Sequence, residues 1–366
     1  MRGILARAIF SNRRSCPHNR AMRRVAAVLF LAALVPARSA SAPERGAPPL
    51  RPLLGLAIEL PKSAGETVRA RALEETRRSG ATLLTLTVSW SQCETAPGQF
   101  RIGEILRAAR LLRQSGATLH LDLPLVSLRL KDVPSDLAST AFDDPRLSTR
   151  LGRLLDALEP GLLDASTLSL GYAAETYFSD RPDELRAYRL LFDGAVDFLK
   201  KKVPHLRVGV TTAAPTESPA PSVAAALHQR SPVLFYLYAP FEREKPFVHR
   251  TPESLDRDWK TLLSSAAGRP IAFSEVSYSS AKQNGSSPEL QAEFVARLKR
   301  FVAASDGSRL LFARYATWRD SPAPAPSTPP AAANSVAERR AAFLAHRGLQ
   351  TEKGSPKPAW LQWIKP

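Results

Sequence analysis

The chain has 366 residues, 44% hydrophobic and 23% charged, which is enough apolar content for one large core, and its formal net charge is +17. Eight arginines and no acidic residue fall in the first 42 positions, so the remainder carries +9, spread over predicted helix faces; this argues against a nucleic-acid binder. Only Cys16 and Cys93 are present and the six His show no paired metal-ligand spacing, so neither a disulfide framework, nor a metal, nor another cofactor is expected.

Met22-Arg-Arg, the apolar run Val25 to Val35 and the small residues around Pro36-Ala37-Arg38-Ser39 have the three regions of a secretory signal. The run has 11 residues, whereas a membrane span needs about 20. No Cys stands at its end, so neither a lipoprotein anchor nor another stable membrane anchor is expected. Residues 1–42 are read as a signal peptide with an N-terminal extension, translation starting at Met1 or at Met22, and the product as periplasmic or extracellular. Residues 43–366 are read as a single domain, expected to be monomeric. Barrels of about 250 residues or more commonly form one domain.

From Leu53 onward, apolar runs of strand type alternate with amphipathic stretches, the pattern of an α/β fold. Eight strands are predicted: Leu53 to Glu59, Ala81 to Ser89, Ala117 to Leu123, Thr167 to Tyr172, Leu206 to Thr212, Val233 to Tyr238, Pro270 to Val276 and Arg309 to Ala316. Ile102 to Gln114 has helical spacing with Arg on its outer face. Ser63 with Glu66 is read as a capping box; Asp144-Pro145, Thr251-Pro252 and Ser287-Pro288 each place a capping side chain before a proline at the first helical position. The Pro/Ala-rich stretch 321–334 cannot pack a core and is read as a long loop after the eighth strand. Cys93, beside Trp90 and Glu94, reads as a small buried filler.

The run Ile271-Ala272-Phe273, entered from Gly268-Arg-Pro270, ends at Ser274-Glu275-Val276-Ser277-Tyr278, which puts a carboxylate at the exit of a buried strand. This segment resembles the seventh-strand motif of retaining (β/α)8 glycoside hydrolases, the clan that includes cellulases, mannanases and endo-galactanases. Other pieces resemble the clan in the same order along the chain: Trp90-Ser-Gln-Cys-Glu94-Thr-Ala-Pro97-Gly98-Gln-Phe100, Leu310 to Trp318, Gly348-Leu349, and Gly354-Ser-Pro-Lys357-Pro358-Ala359-Trp360. The resemblance covers roughly Leu53 to Trp363 and implies a (β/α)8 TIM barrel that binds a poly- or oligosaccharide, with Glu275 as nucleophile. It also implies sugar contacts at the active face from Trp90, Tyr278, Trp318, Glu94 and Asp122, and a hydrogen bond to the nucleophile from Tyr238.

One departure from the family bears on the chemistry. Leu170-Gly171-Tyr172-Ala173-Ala174-Glu175 aligns with a Gly-Asn-Glu pattern so that Tyr172 replaces the Asn, at the sugar-binding position, and Ala173 replaces the acid. Retaining hydrolysis needs a second carboxyl about 5 to 5.5 Å from the first. Glu175, two residues on, either reaches back as a substitute acid or is structural. The expectation is a glycosidase with impaired activity, the alternative an inactive carbohydrate-binding barrel. Mass spectrometry of the exported protein should find its N-terminus between Arg38 and Pro43; a mature chain that keeps Val25 to Val35 would point to a membrane-held form.

Overall fold

A computed structural model describes residues 51–57, 74, 78–114, 116–218, 220–322 and 335–365. The predicted leader, the Ser63–Glu66 box, the end of the first strand at Glu59 and most of the Pro/Ala-rich stretch lie outside them. All eight predicted strands form. They are β1 (Leu53–Leu56), β2 (Leu83–Thr87), β3 (Thr118–Ser127), β4 (Ala165–Tyr172), the pair β5 (Arg207–Gly209) and β6 (Thr211–Ala213), β7 (Leu234–Tyr238), β8 (Ile271–Val276) and β9 (Leu310–Tyr315).

All neighbours in this set pair in parallel, in the order β5-β4-β3-β2-β1-β9-β8-β7-β6. Because β5 and β6 are consecutive segments of one predicted strand, β5 on β4 and β6 on β7, the ring closes through a strand interrupted at Val210. The result is a (β/α)8 barrel.

The main helices are α1 (Gly103–Gln114), α2 (Pro145–Leu162), α3 (Ala174–Asp180), α4 (Glu184–Lys202), α5 (Pro221–Leu227), α6 (Ser254–Ser265), α7 (Pro288–Ala304), α8 (Val336–Ala345) and α9 (Pro358–Ile364). Asp144 and Ser287 cap as predicted, accepting from the backbone of Arg146 and Leu290, each with a proline at the first position. Thr251 does not cap α6. Its carbonyl accepts from the backbone and the hydroxyl of Ser254, so Pro252 and Glu253 form a lead-in turn and the helix begins at Ser254. Among the described residues no helix is long and apolar enough to cross a membrane.

Among the described residues the core divides in four, the smallest cluster being Ala239, Phe241, Phe247 and Phe343. Leu83, Val233, Phe235, Ala272, Leu311 and Phe312 fill the barrel interior. The ring of His120 lies 5.2 Å from that of Phe235 and 5.1 Å from that of Phe312. Two larger clusters lie between sheet and helices, one from β2 to β5 with α1, α2 and α4, the other from β7 to β9 with α6, α7 and α9. Cys93 is a buried free thiol in the first of these, and burial above all pushes it up to about 12.

Close packing at the interrupted strand requires glycine. A Cβ at Gly209 would lie 2.7 Å from the carbonyl oxygen of Val233 and 2.8 Å from the Phe235 ring. Gly209→Ala is expected to cost about 1–3 kcal/mol through overpacking, read as a lowered midpoint in urea unfolding; an unchanged midpoint would mean that the interior yields freely.

Candidate active site

The carboxyl ends of the strands form the mouth of the barrel, where Glu275 is placed by an irregularity in β8. Phe273 pairs with Tyr236 and Val276 with Tyr238, so three steps along β8 match two along β7; the same offset appears against β9, from Ala313 to Tyr315. This is a β-bulge. Phe273 and Val276 face the outer cluster, while the extra residue lets both Ser274 and Glu275 turn inward. The hydroxyl of Ser274 lies 3.2 Å from that of Thr211, and Glu275 reaches Tyr172 at the end of β4.

Three side chains converge on the Glu275 carboxylate, which is 8% exposed. Tyr172 donates its hydroxyl to Oε2 at 2.9 Å, Ser277 donates to Oε1 at 3.1 Å, and Arg347 Nη1 donates to Oε1 at 2.6 Å as an ion pair. Burial and then the Glu275 charge push the Tyr172 phenol well above its ordinary range, so it stays a donor. Beneath them a polar layer crosses the lumen. Ser169, Thr211 and Ser274 are linked hydroxyl to hydroxyl, and Arg314 Nε donates to the Ser274 carbonyl at 2.6 Å. Asp122 lies 3.1 Å from His120 Nε2, and the opposite ring nitrogen lies 2.8 Å from the Thr167 hydroxyl. Burial would raise the Asp122 carboxyl, but His120 and the Arg314 charge together hold it below its usual range.

Two carboxyls at the mouth belong to the frame. Glu175, 1% exposed in the first turn of α3, accepts from the Ala213 backbone at 3.2 Å, and burial pushes it up to about 7. No neighbouring charge contributes to that rise, whereas an acid facing a nucleophilic carboxylate would feel it strongly. Glu217, after β6, accepts from the Ala239 backbone at 2.9 Å and is likewise driven upward by burial. Ala173 is fully buried in the left-handed conformation, φ 48° and ψ 43°, a strained turn that carries no carboxyl.

Several predicted residues lie elsewhere than the resemblance implies. Tyr238 faces the helix layer, donating to Asp258 on α6 at 2.9 Å beside Arg250; strand alternation points it outward, and Tyr172 makes the bond to Glu275 instead. Tyr278 is stacked on both faces, by His249 at 4.1 Å and Phe294 at 4.6 Å, which leaves no face for a sugar. Trp318 is buried in the outer cluster with the Arg319 guanidinium 4.1 Å from its ring centre. Trp90 is fully buried and donates its indole N–H to Glu94 at 2.6 Å; Glu94 also accepts from the Gly98 backbone and, at 2.7 Å, from Arg150, a structural knot. Tyr172 lies beside Glu275, whereas Asp122 lies in the polar layer beneath it, paired with His120.

No motif in the sequence gives a role to Arg347, Ser277, Arg314 or His120. Arg314 and His120 had a readable signal, a polar residue inside an apolar strand. Arg347, from the segment between α8 and α9, had none. Among the described residues no cluster of three or more His, Cys, Asp or Glu is arranged to hold a metal ion.

No family model and no curated protein sequence matches this chain. Solved structures do. Xylanase 10C from Cellvibrio japonicus, in complex with xylopentaose, superposes with a TM-score of 0.62 at 10% identity, over 86% of this chain and 67% of that one. Xylanase 10B from Thermotoga maritima gives 0.58 at 13% identity, covering 86% and 94%. An exo-β-1,4-mannosidase from an Opitutaceae bacterium gives 0.57 at 14% identity, covering 86% and 58%, so this chain spans little more than half the mannosidase. The chain shares the (β/α)8 barrel fold with these structures.

Glu175 gives a pH test. Its carboxyl holds a proton more tightly when folded, about 7 against an ordinary 4.5. The resulting stability is therefore fully present below about pH 4.5 and lost as pH rises through about 7. Glu175→Gln should remove that loss, leaving the variant more stable than wild type at pH 8 by on the order of 3 kcal/mol. Parallel stability curves from pH 4 to 8 would show that Glu175 is not a buried neutral acid.

Proposed function

We propose that the protein is an exported glycosidase-like barrel that engages a poly- or oligosaccharide at the mouth, with Glu275 as nucleophile and without an efficient general acid. The observation that carries this reading is the placement of Glu275, turned into the lumen by a bulge and held by Tyr172, Ser277 and Arg347. A positioned carboxylate at this face is what covalent glycosyl transfer needs. The barrels of similar fold are named for xylan and mannoside chemistry, which favours a glycan as the partner.

The chemistry follows from what is present. Glu275 attacks the anomeric carbon, a bond forms from carboxylate oxygen to carbon, and the glycosidic carbon–oxygen bond breaks with its electron pair leaving on oxygen. With Ala173 at the acid position and Glu175 turned to the Ala213 backbone, that oxygen leaves unprotonated. A sugar alkoxide leaves poorly on these terms, and general acid help is commonly worth about 10² to 10⁴-fold. A phenolate needs no such help. Water then attacks the anomeric carbon of the glycosyl ester, the bond to the carboxylate breaks to return Glu275, and the water's proton passes to bulk solvent because no base is placed to take it. With an aryl glycoside the first step needs no acid while the second still lacks a base, so breakdown is rate-limiting and the covalent ester should accumulate.

A second reading, a glycan-binding barrel without turnover, is favoured by the full burial of Ala173 and by the three donors already satisfying Glu275. A panel of activated aryl glycosides separates the two. The proposal expects slow phenolate release, lost by at least about 100-fold in Glu275→Gln, with a glycosyl adduct on Glu275 detected by intact-mass analysis. Glycan affinity by calorimetry with no Glu275-dependent release would leave binding alone.

A further inference from the structure

The chain around Arg347 is gripped from both sides. Lys357, the residue preceding α9 and 7% exposed, directs its ammonium at both oxygens of Asp320, at 3.0 and 3.3 Å. The same ammonium donates to the carbonyls of Gly348 at 2.7 Å and His346 at 3.2 Å. Asp320 Oδ1 also accepts from the Gly348 backbone N–H at 2.8 Å. Gln291 adds a donor to the Gly348 carbonyl at 3.1 Å, and Ser280 donates its backbone N–H to the His346 carbonyl at 3.0 Å. Position 348 admits no side chain, since a Cβ there would lie 2.0 Å from the carbonyl carbon of Arg319, so the two backbones pack directly against each other.

One buried ion pair thus fixes the residues immediately before and after Arg347, whose guanidinium holds Glu275. Fastening α9 to the barrel does not require it, because Trp360 and Trp363 already pack into the outer cluster. A buried ion pair is also a poor source of stability, as its desolvation offsets much of its attraction. What it supplies is geometry. We infer that Lys357 and Asp320 are positioning residues for Glu275, acting through the backbone of 346–348 to aim Arg347 at the carboxylate. This rests on the reading of Glu275 as the functional carboxylate and deepens it, and it gives the Gly354-Ser-Pro-Lys357-Pro358 motif a part in the site.

Lys357 and Glu275 share no direct hydrogen bond or ion pair, so coupling between them is diagnostic. Denaturant unfolding of wild type, Lys357→Met, Glu275→Gln and the double variant should be non-additive by about fivefold or more in the unfolding constant. The coupling should vanish in an Arg347→Met background. If Lys357→Met does not fold, Asp320→Asn replaces it in the same cycle and keeps an acceptor for Gly348. With an activated aryl glycoside, Lys357→Met and Arg347→Met should lower kcat by a similar factor, about tenfold or more, with KM little changed. Additive stabilities in both cycles would overturn the inference and leave the pair as a fastener of α9. A wild type that releases no phenolate would instead sink the proposed reaction, while the unfolding cycles still decide the positioning role.

Discussion

The ion pair of Arg347 with Glu275 is the contact on which the mouth of the barrel depends. Its carboxylate turns inward through one extra residue in β8, its guanidinium arrives from a segment more than seventy positions later, and Tyr172 completes it from β4. A charge this deep is costly unless partnered. Its partners come from separate parts of the chain, so the site assembles only when the barrel has closed and the C-terminal segment has docked. Fold and site are in this sense one cooperative unit.

The other acidic side chains at the strand ends are each committed elsewhere. Glu94 serves Trp90 and Arg150, Glu175 serves a backbone N–H group, Glu217 serves a backbone N–H group with Arg250 at 3.6 Å, and Asp122 serves His120. These environments divide the carboxyls physically. Those whose partners are mainly backbone dipoles are pushed toward the neutral form by burial, while Asp122, which faces His120 and Arg314, is held ionised. Glu275 is set apart by facing the lumen with side-chain donors from β4, from the exit of its own strand and from the segment between α8 and α9, which makes it the group best placed to meet a ligand.

The architecture was legible because buried parallel strands are apolar runs bounded by turn residues, and that signal is local. All eight strands appear within a few residues of where the pattern puts them, and the Asp144 and Ser287 caps are likewise local chemistry. Glu275 was legible as a carboxylate at a strand exit. Its inward turn was not, since a bulge is defined against neighbouring strands. The aromatic residues show the same limit. Tyr278 has the composition of a sugar platform, but Phe294 and His249, from distant positions, occupy both its faces. Tyr238 was assigned by motif position, and strand alternation sent it to Asp258. Arg347 lies in no periodic element, so only three-dimensional packing reveals it.

The interrupted strand has a mechanical meaning. β5 meets β4 through three residue pairs and β6 meets β7 through three, while on the far side β1 meets β2 through a single pair. The two large core clusters fall on either side of this line, one under β2 to β5 and the other under β7 to β9. The barrel is therefore two half-shells, each with its own apolar ballast, stitched along two thin seams. Amide exchange should enter along those seams before it reaches the middle of either half, and Tyr172 and Glu275, lying in opposite halves, form a rivet across the gap.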